Sequence, residues 1–411
     1  MPELIEQPTP AAVLQRVAKA MVDHVAAQRP APRRPHLVAD HADAVAQLSA
    51  QFTADREALA PGYLSQPAVR SAYLLYFAVT TAATVSQVVT LAGLQPRLAR
   101  PLRILDVGAG PLSATLGLLC HAPADTLWEV DAIDGVRKTL DDGAALMHRL
   151  RPDAKVTCHV GNFRDGRFLK SAVRGTYDVI LLANVLNEWH QGGRKAQSAG
   201  EFVDHLLRDH LAEDGVALLI EPATRAGSHT LISVREEVLA LGDRHIVAPC
   251  CGAAACPLAG SDRDWCFAEQ PWTRPPHIEA IDRAIHHQRA TLKFSYLVFG
   301  QAEAVADRRR IIGGPMADGG LVRRYLCGPD GRFVAIAGRE RAPLWLRQAW
   351  RGEAIDLPGV PKVQDGPGRR EAVLEVGPKR AAAREETPWS PPRDNRARGS
   401  RPSPSKRTKR P

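Results

Sequence analysis

The chain has 411 residues, 45% of them hydrophobic, which is enough for one large core with additions or for two domains. Its formal charge of +9 is unevenly placed: residues 388–411 carry eight Arg and Lys against Asp394 alone, supplying +7 of it. The N-terminus, MPELIEQPTPAAV, lacks a basic start followed by an apolar run and is acidic, which argues against a secretory or mitochondrial leader and for a cytoplasmic protein.

Residues 1–95 read as helical. PAAVLQRVAKAMVDHVAAQ and HADAVAQLSAQF repeat apolar residues at helical spacing, and AVRSAYLLYFAVTTAATVSQVVTLAG is a longer, more buried helix. Its uncharged run from Ser71 to Pro96 holds Thr80, Thr81, Thr84, Ser86, Gln87 and Thr90, a pattern of a buried helix rather than a membrane span. Over 96–300 the character changes. The strand-like runs RILDVGAG, TLWEVDAID, KVTCHVGNF, YDVILLANVL and GVALLIEP alternate with helical segments, which predicts a parallel, doubly wound α/β sheet. RHIVAP then leads into a cysteine-rich loop, 248–276, followed by the helix IEAIDRAIHHQRA and the strand LKFSYLVFG. In a small β extension, 301–350, two strand-like runs around Gly-Pro-Asp-Gly predict a hairpin that carries Cys327. Residues 351–411 read as linker and a disordered basic tail rich in Pro, Arg and Ser, suited to a nucleic-acid backbone through counterion release.

The first strand ends in Asp106-Val107-Gly108-Ala109-Gly110-Pro111-Leu112. Glycines at a strand-to-helix turn let the backbone approach a ligand, and Asp134 closes the second strand where an acid meets ribose hydroxyls. Nicotinamide and S-adenosylmethionine (SAM) enzymes share this unit. An acid two residues before the first glycine, without the phosphate-binding continuation, is closer to the SAM pattern, with Asp106, Gly108, Gly110, Asp134 and Asn184 as cofactor-binding candidates. Leu112 stands where that pattern has a third glycine, and a bulky side chain there is expected to weaken or shift the ligand. After the fourth strand, Asn187, Glu188 and His190 are candidates to orient an acceptor or take a proton, against the plainer reading that they cap the next helix. Pro249-Cys250 resembles a cytosine-C5 nucleophile pair but follows too late a strand.

Four of seven cysteines crowd into 250–266, spaced C-x5-C-x9-C from Cys250, with Cys251 doubled beside it and Cys327 far downstream. Cys120 and Cys158 lie in apolar elements and read as packing residues. Four thiolates suit structural zinc or an iron–sulfur cluster; the lack of tight C-x2-C pairs tilts toward iron–sulfur, and unligated thiols are the third reading.

Taken together, SAYLLYFAV, LDVGAGPLSA, YDVILLANVLNEW, LLIEPATRAG, the VAPC…CPLAGSDRDWC loop, LKFSYLVFG and LVRRYLC resemble, in order over about residues 70–335, the methyltransferase-like small-ribosomal-subunit assembly factors of bacteria and mitochondria. The resemblance implies a Rossmann-like class I SAM-dependent methyltransferase fold with a helical N-terminal region, a cysteine-rich metal-binding insertion and a C-terminal β-hairpin. It further implies a 4Fe–4S cluster on Cys250, Cys256, Cys266 and Cys327, and binding to small-subunit rRNA or a ribosomal particle; separately, the chain is expected to be a monomer that does not engage a membrane. The family has Pro-His after its first cysteine; Cys251-Gly252 here leaves Cys251 as a spare thiol or alternative ligand. The rival functions are a non-catalytic rRNA-binding assembly factor and a small-molecule methyltransferase with structural zinc.

Overall fold

The computed structural model describes residues 8–54, 62–191, 197–242, 244–252, 255–287, 289–301, 307–329, 331–366 and 369–376. The basic tail expected over 388–411 lies outside them. Helix α1 (Pro10–Ala27) opens on Thr9, whose Oγ1 accepts from Ala12 N, with Pro10 at the first turn. Its buried stripe, Val13, Leu14, Val17, Met21 and Val25, follows helical spacing. Helix α2 (Leu37–Ala54) follows, and then α3 (Pro67–Tyr73) passes through a π-helical turn, Leu74–Ala78, into α4 (Val79–Ala92). The combined helix is long and apolar enough to cross a membrane, yet 67% of its most apolar stretch is buried within the protein. Val79, Ala82, Val85, Val88 and Val89 are inaccessible to solvent, so α4 is a core helix.

The main sheet contains β1 (Leu102–Val107), β2 (Trp128–Asp134), β3 (Lys155–Val160), β4 (Tyr177–Ala183), β5 (Leu211–Pro222), β6 (Ile246–Ala248), β7 (Ala268–Pro271) and β8 (Thr291–Gly300). Between them run α5 (Ser113–Leu118), α6 (Arg137–Leu150), α7 (Gly166–Ala172), α8 (Ala199–His210), α9 (Arg225–Leu241) and α10 (Pro276–Ala284). The order is β3-β2-β1-β4-β5-β8-β6, with β1 to β5 parallel and β8 antiparallel to β5. This is the class I SAM-dependent methyltransferase arrangement. The direction of β8 is not written in its sequence, because its apolar run is buried on both faces and reads the same either way.

Strands β6 and β7 both pair antiparallel with β8, Ala248 opposite Val298 and Ala268 opposite Phe294. They therefore lie end to end along one edge of β8. The cysteine-rich stretch is an excursion from that single edge, its two ends four residues apart on β8, or about 13 Å.

A second sheet follows: β9 (Arg308–Ile311), β10 (Met316–Asp318), β11 (Leu321–Gly328), β12 (Gly331–Gly338), β13 (Ala354–Asp356), β14 (Lys362–Gly366) and β15 (Arg369–Glu375), with α11 (Leu344–Gln348) before β13. The order is β13-β9-β11-β12-β15-β14, with β10 on β11. The expected hairpin is present as β11–β12, with Cys327 opposite Arg332. Strands β13 to β15 occupy 354–375, where the sequence reads as linker. They are short and charged, and their apolar residues Ile355, Ala372, Leu374 and Val376 find a core only against the hairpin, around Phe333, Leu326 and Leu346.

Helices α4 and α5 touch at backbone distance. A Cβ on Gly117 would lie 2.5 Å from Ala82 O and 2.8 Å from Val85 Cβ. Gly117→Ala is expected to cost about 1–3 kcal/mol by forcing the two helices apart. Urea denaturation measures this, and an unchanged midpoint would show that the contact is not tight.

Candidate functional site

The carboxyl ends of β1, β2, β4 and β5 form the crevice where such sheets bind ligands. Gly108 and Gly110 both take left-handed backbone, φ 69° and 52°. A Cβ on Gly108 would come within 2.1 Å of Val185 Cγ1, whereas one on Gly110 would meet nothing within 4 Å. Gly108 is thus demanded by the protein itself, and Gly110 faces open space. Asp134 joins this loop: its Oδ2 accepts from Gly110 N at 2.9 Å and its Oδ1 from Val136 N at 2.8 Å. Burial pushes its carboxyl pKa up.

Asp106 lies behind the loop. Only 1% exposed, it accepts from Thr115 Oγ1 at 2.7 Å and Thr115 N at 3.3 Å. Burial raises its pKa to about 6 despite the Thr115 bonds, and the charge of Asp134 adds to the rise. Leu112 also departs from expectation. It takes left-handed backbone, φ 56°, and its fully buried side chain turns into the core against Gly143 of α6 instead of standing in the crevice. The strained backbone costs about 1–2 kcal/mol, which burial of a leucine side chain offsets.

On the opposite wall, Asn184 has φ 61°, donates its backbone N–H to Ile220 O at 2.8 Å, and reaches Thr81 of α4 through Nδ2 at 3.3 Å. The 3-10 turn Leu186–Gln191 carries the acceptor-side candidates. Leu186 N donates to Glu221 Oε1 at 2.8 Å, and Asn187 Nδ2 donates to Glu221 Oε2. Asn187 Oδ1 is buried without a hydrogen-bond partner among the described residues. The side chains of Glu188 and His190 lie outside the described residues. Trp189 anchors the turn, packing on Phe202 with centroids 4.9 Å apart and donating Nε1 to Gln197 O. Glu221 is the residue that motif reading missed. It is fully buried at the end of β5, and its signal was an acid closing the apolar run VALLIEP.

The thiols gather along the edge of β8 that faces away from β5, between the stretches paired by β6 and β7. Cys250 and Cys251 leave β6 after a cis Ala248–Pro249 bond, Cys266 precedes β7, and Cys327 arrives on β11. All are free. Burial pushes the Cys266 pKa up to about 12, with the charges of Cys250 and Cys256 adding to it. Cys327 is raised by burial and then by Cys250, Cys266 and Cys256, and Cys256 by burial and, among its neighbours, Cys250. The thiols therefore sense one another's charge. Among the described residues, however, no three His, Cys, Asp or Glu side chains are close enough to hold a metal ion.

The excursion is held by side chains. Ser228 Oγ and Ser295 Oγ both donate to Cys266 O, Glu236 accepts from Cys256 N, and Trp265 Nε1 reaches Ala223 O. From the turn that leads into β13, Arg351 donates to Phe267 O and Trp265 O. Two more arginines border the thiols: Arg235 Nε lies 3.3 Å from Cys250 Sγ, and Arg310 Nε donates to Pro249 O at 2.8 Å.

The family profile described as "Mitochondrial small ribosomal subunit Rsm22" matches residues 67–341. No curated protein sequence matches the chain. Solved structures similar to this chain include precorrin-6y C5,15-methyltransferase from Geobacter metallireducens GS-15, at 13% identity over 52% of this chain and 88% of that one, TM-score 0.32. Magnesium protoporphyrin IX methyltransferase (ChlM) from Synechocystis PCC 6803 with bound SAH matches at 14% identity over 55% and 84%, TM-score 0.32. Ribosomal protein L11 methylase from Lactobacillus delbrueckii subsp. bulgaricus matches at 16% identity over 53% and 80%, TM-score 0.27.

The buried Asp106 has a consequence for stability. Its pKa rises from 3.8 to about 6 on folding, so the folded state holds this proton more tightly than the unfolded chain does. Its contribution therefore falls by about 3 kcal/mol as pH rises through that window, and stays lost above it. Asp106→Asn keeps an acceptor for Thr115 without the charge, and its stability gain over wild type should be larger at about pH 8 than at about pH 4. Urea midpoints at both pH values check this; an equal difference at both would mean that Asp106 does not titrate across the window.

Proposed function

The chain belongs to the Rsm22 family of the mitochondrial small ribosomal subunit, and from that membership we propose a maturation factor of the small ribosomal subunit. In this reading it is a SAM-dependent methyltransferase acting on ribosomal RNA and carrying a 4Fe–4S cluster. The observation that carries the proposal is the matched segment itself: 67–341 contains both the glycine loop and all four cysteines proposed as ligands.

SAM supplies an electrophilic methyl group when bound. Gly110 lets the backbone approach it, Gly108 holds the turn by making room for Val185, Asp134 takes the ribose hydroxyls, and Asn184 closes the other wall. Asp106 does not touch the ligand in this reading; it braces the loop through Thr115. The turn from Asn187 to His190, including Glu188, faces the acceptor base, and the rate gain comes from holding donor and acceptor in line. Basic surface and the 388–411 tail bind the RNA backbone.

Cys250, Cys256, Cys266 and Cys327 hold the cluster, with Cys251 as the alternative ligand. The fit rests on donor chemistry and burial. The excursion between β6 and β7 supplies three soft donors and β11 the fourth, and the cost of ionising such buried, mutually repelling thiols is relieved when a metal centre replaces their protons. A single Zn2+ on the same thiols is the competing occupant.

A non-catalytic rRNA-binding factor is the second reading. One observation favours it: Asn187 is engaged by Glu221 and Gly110 N–H by Asp134, so groups that would face ligands already have partners inside the protein. Calorimetric titration with SAM separates the two. A Kd on the order of micromolar supports the enzyme, and no heat at ligand on the order of millimolar leaves the scaffold.

Anaerobic purification tests the cluster: a brown protein with about four irons per chain is expected. Colourless protein with stoichiometric zinc would replace it by a structural zinc site. Cys327→Ser should lose most of the metal, since Cys327 is the one proposed ligand that β11 contributes; full retention would remove it from the ligand set.

A further inference from the structure

Arg310 of β9 stands directly across from Cys327 of β11, so both side chains leave the same face of the second sheet. It is only 5% exposed. Its guanidinium donates to Pro249 O at 2.8 Å and Gly352 O at 2.6 Å, both neutral carbonyls. Its foremost electrostatic neighbours are Tyr296 and the thiols of Cys251, Cys250 and Cys266, and among the described residues it forms no ion pair with a carboxylate. A buried cation with no anion is costly, and such sites are normally paired. Arg235, on the other side of the thiols, has such a partner in Glu236.

A second, independent observation points to the same spot. Tyr296 of β8 is buried, and its hydroxyl has no hydrogen-bond partner among the described residues. It lines a small cavity together with Pro249, Cys266, Arg310 and Gly352. Among the described residues, a hydroxyl without a hydrogen-bond partner and a guanidinium without a carboxylate thus border the same thiols.

We infer that Arg310 is the fixed counter-charge of an anionic metal–thiolate centre held by these cysteines, and that Tyr296 donates a hydrogen bond to it. The inference rests on the cluster reading above. It divides the doubled cysteine between two arginines, with Cys250 beside Arg235 and Cys251 beside Arg310. Both Arg310 and Tyr296 are positioning residues, acting on the centre without ligating it. Four thiolates around a 4Fe–4S core are net negative, and reduction adds a further negative charge. A buried cation beside the core favours the reduced state and raises its potential.

The test is a dithionite titration of anaerobically purified full-length protein followed by EPR, in wild type, Arg310→Met, Arg310→Lys and Tyr296→Phe. Arg310→Met should make one-electron reduction about tenfold less favourable, a fall of about 59 mV in midpoint potential. Arg310→Lys keeps the charge and should stay near wild type, and Tyr296→Phe should shift in the Met direction by less. An unchanged potential in Arg310→Met with a filled cluster overturns the proposal, as does an equal shift in Lys and Met. If Arg310→Met does not fold, Tyr296→Phe decides, and an unmoved potential there counts against it. If wild type carries zinc instead of iron, the cluster reading fails on its own. The counter-charge is then read from zinc release to a chelator, expected to be about tenfold faster from Arg310→Met, since every tenfold is one 1.4 kcal/mol step. Equal release rates overturn it.

Discussion

Strand β8 is the element on which the rest of the molecule depends. One edge pairs with β5 over seven residues, Val216 opposite Gly300 through Pro222 opposite Phe294, and the other carries β6 and β7 in line. Because β8 is continuous, the two half-strands cannot drift apart, and everything between them must loop out and return. The excursion makes little regular backbone pairing of its own. Its polar groups are answered by Ser228, Glu236 and Ser295 from below, and by Arg310 of the second sheet and Arg351 of the turn that leads into β13. The second sheet is therefore a cover on the thiol cluster, joined to the first sheet by guanidinium-to-carbonyl bonds.

The helical N-terminal region is equally part of the working structure. Asp142 on α6 accepts from Arg70 of α3 at 3.0 Å and pairs with His24 of α1 at 2.8 Å, so three helices share one buried carboxylate. Such a group is strongly held only while its partners remain. Farther along, α4 enters the core, and Thr81 on it reaches Asn184 in the crevice wall. The π-helical turn that joins α3 to α4 is braced by α10. Tyr76 donates to Asp282 at 2.5 Å, and His277 bonds Leu75 O, a carbonyl within that irregular turn. The helices thus tie the SAM-type crevice to the segment that feeds β8.

Much of the fold was legible along the chain. β1 through β5 announced themselves as short apolar runs separated by amphipathic helices, and the glycines at 108 and 110 marked the crevice turn because only glycine adopts that backbone cheaply. The hairpin at 328–331 was legible for the same reason. The direction of β8 was not, since a strand buried on both faces carries no sign of its orientation. Strands β13 to β15 were hidden because three to seven residues with several charges show no period. The role of Leu112 was misread because its side-chain direction depends on a left-handed backbone that sequence does not display.

At the candidate sites the division is sharper. Sequence alone determined which chemistry was available: an acid and two glycines at a strand end, and five thiols that the C-terminal half of the chain could bring together. Those are properties of residue type and spacing. Only the tertiary structure decided that Asp106 faces Thr115 instead of the crevice, that Glu221 holds Asn187, and that Arg310 meets the thiols from across a second sheet. Each of these partners lies in another element, and burial, which sets both the cost of a charge and the direction of its pKa, exists only once the elements have packed.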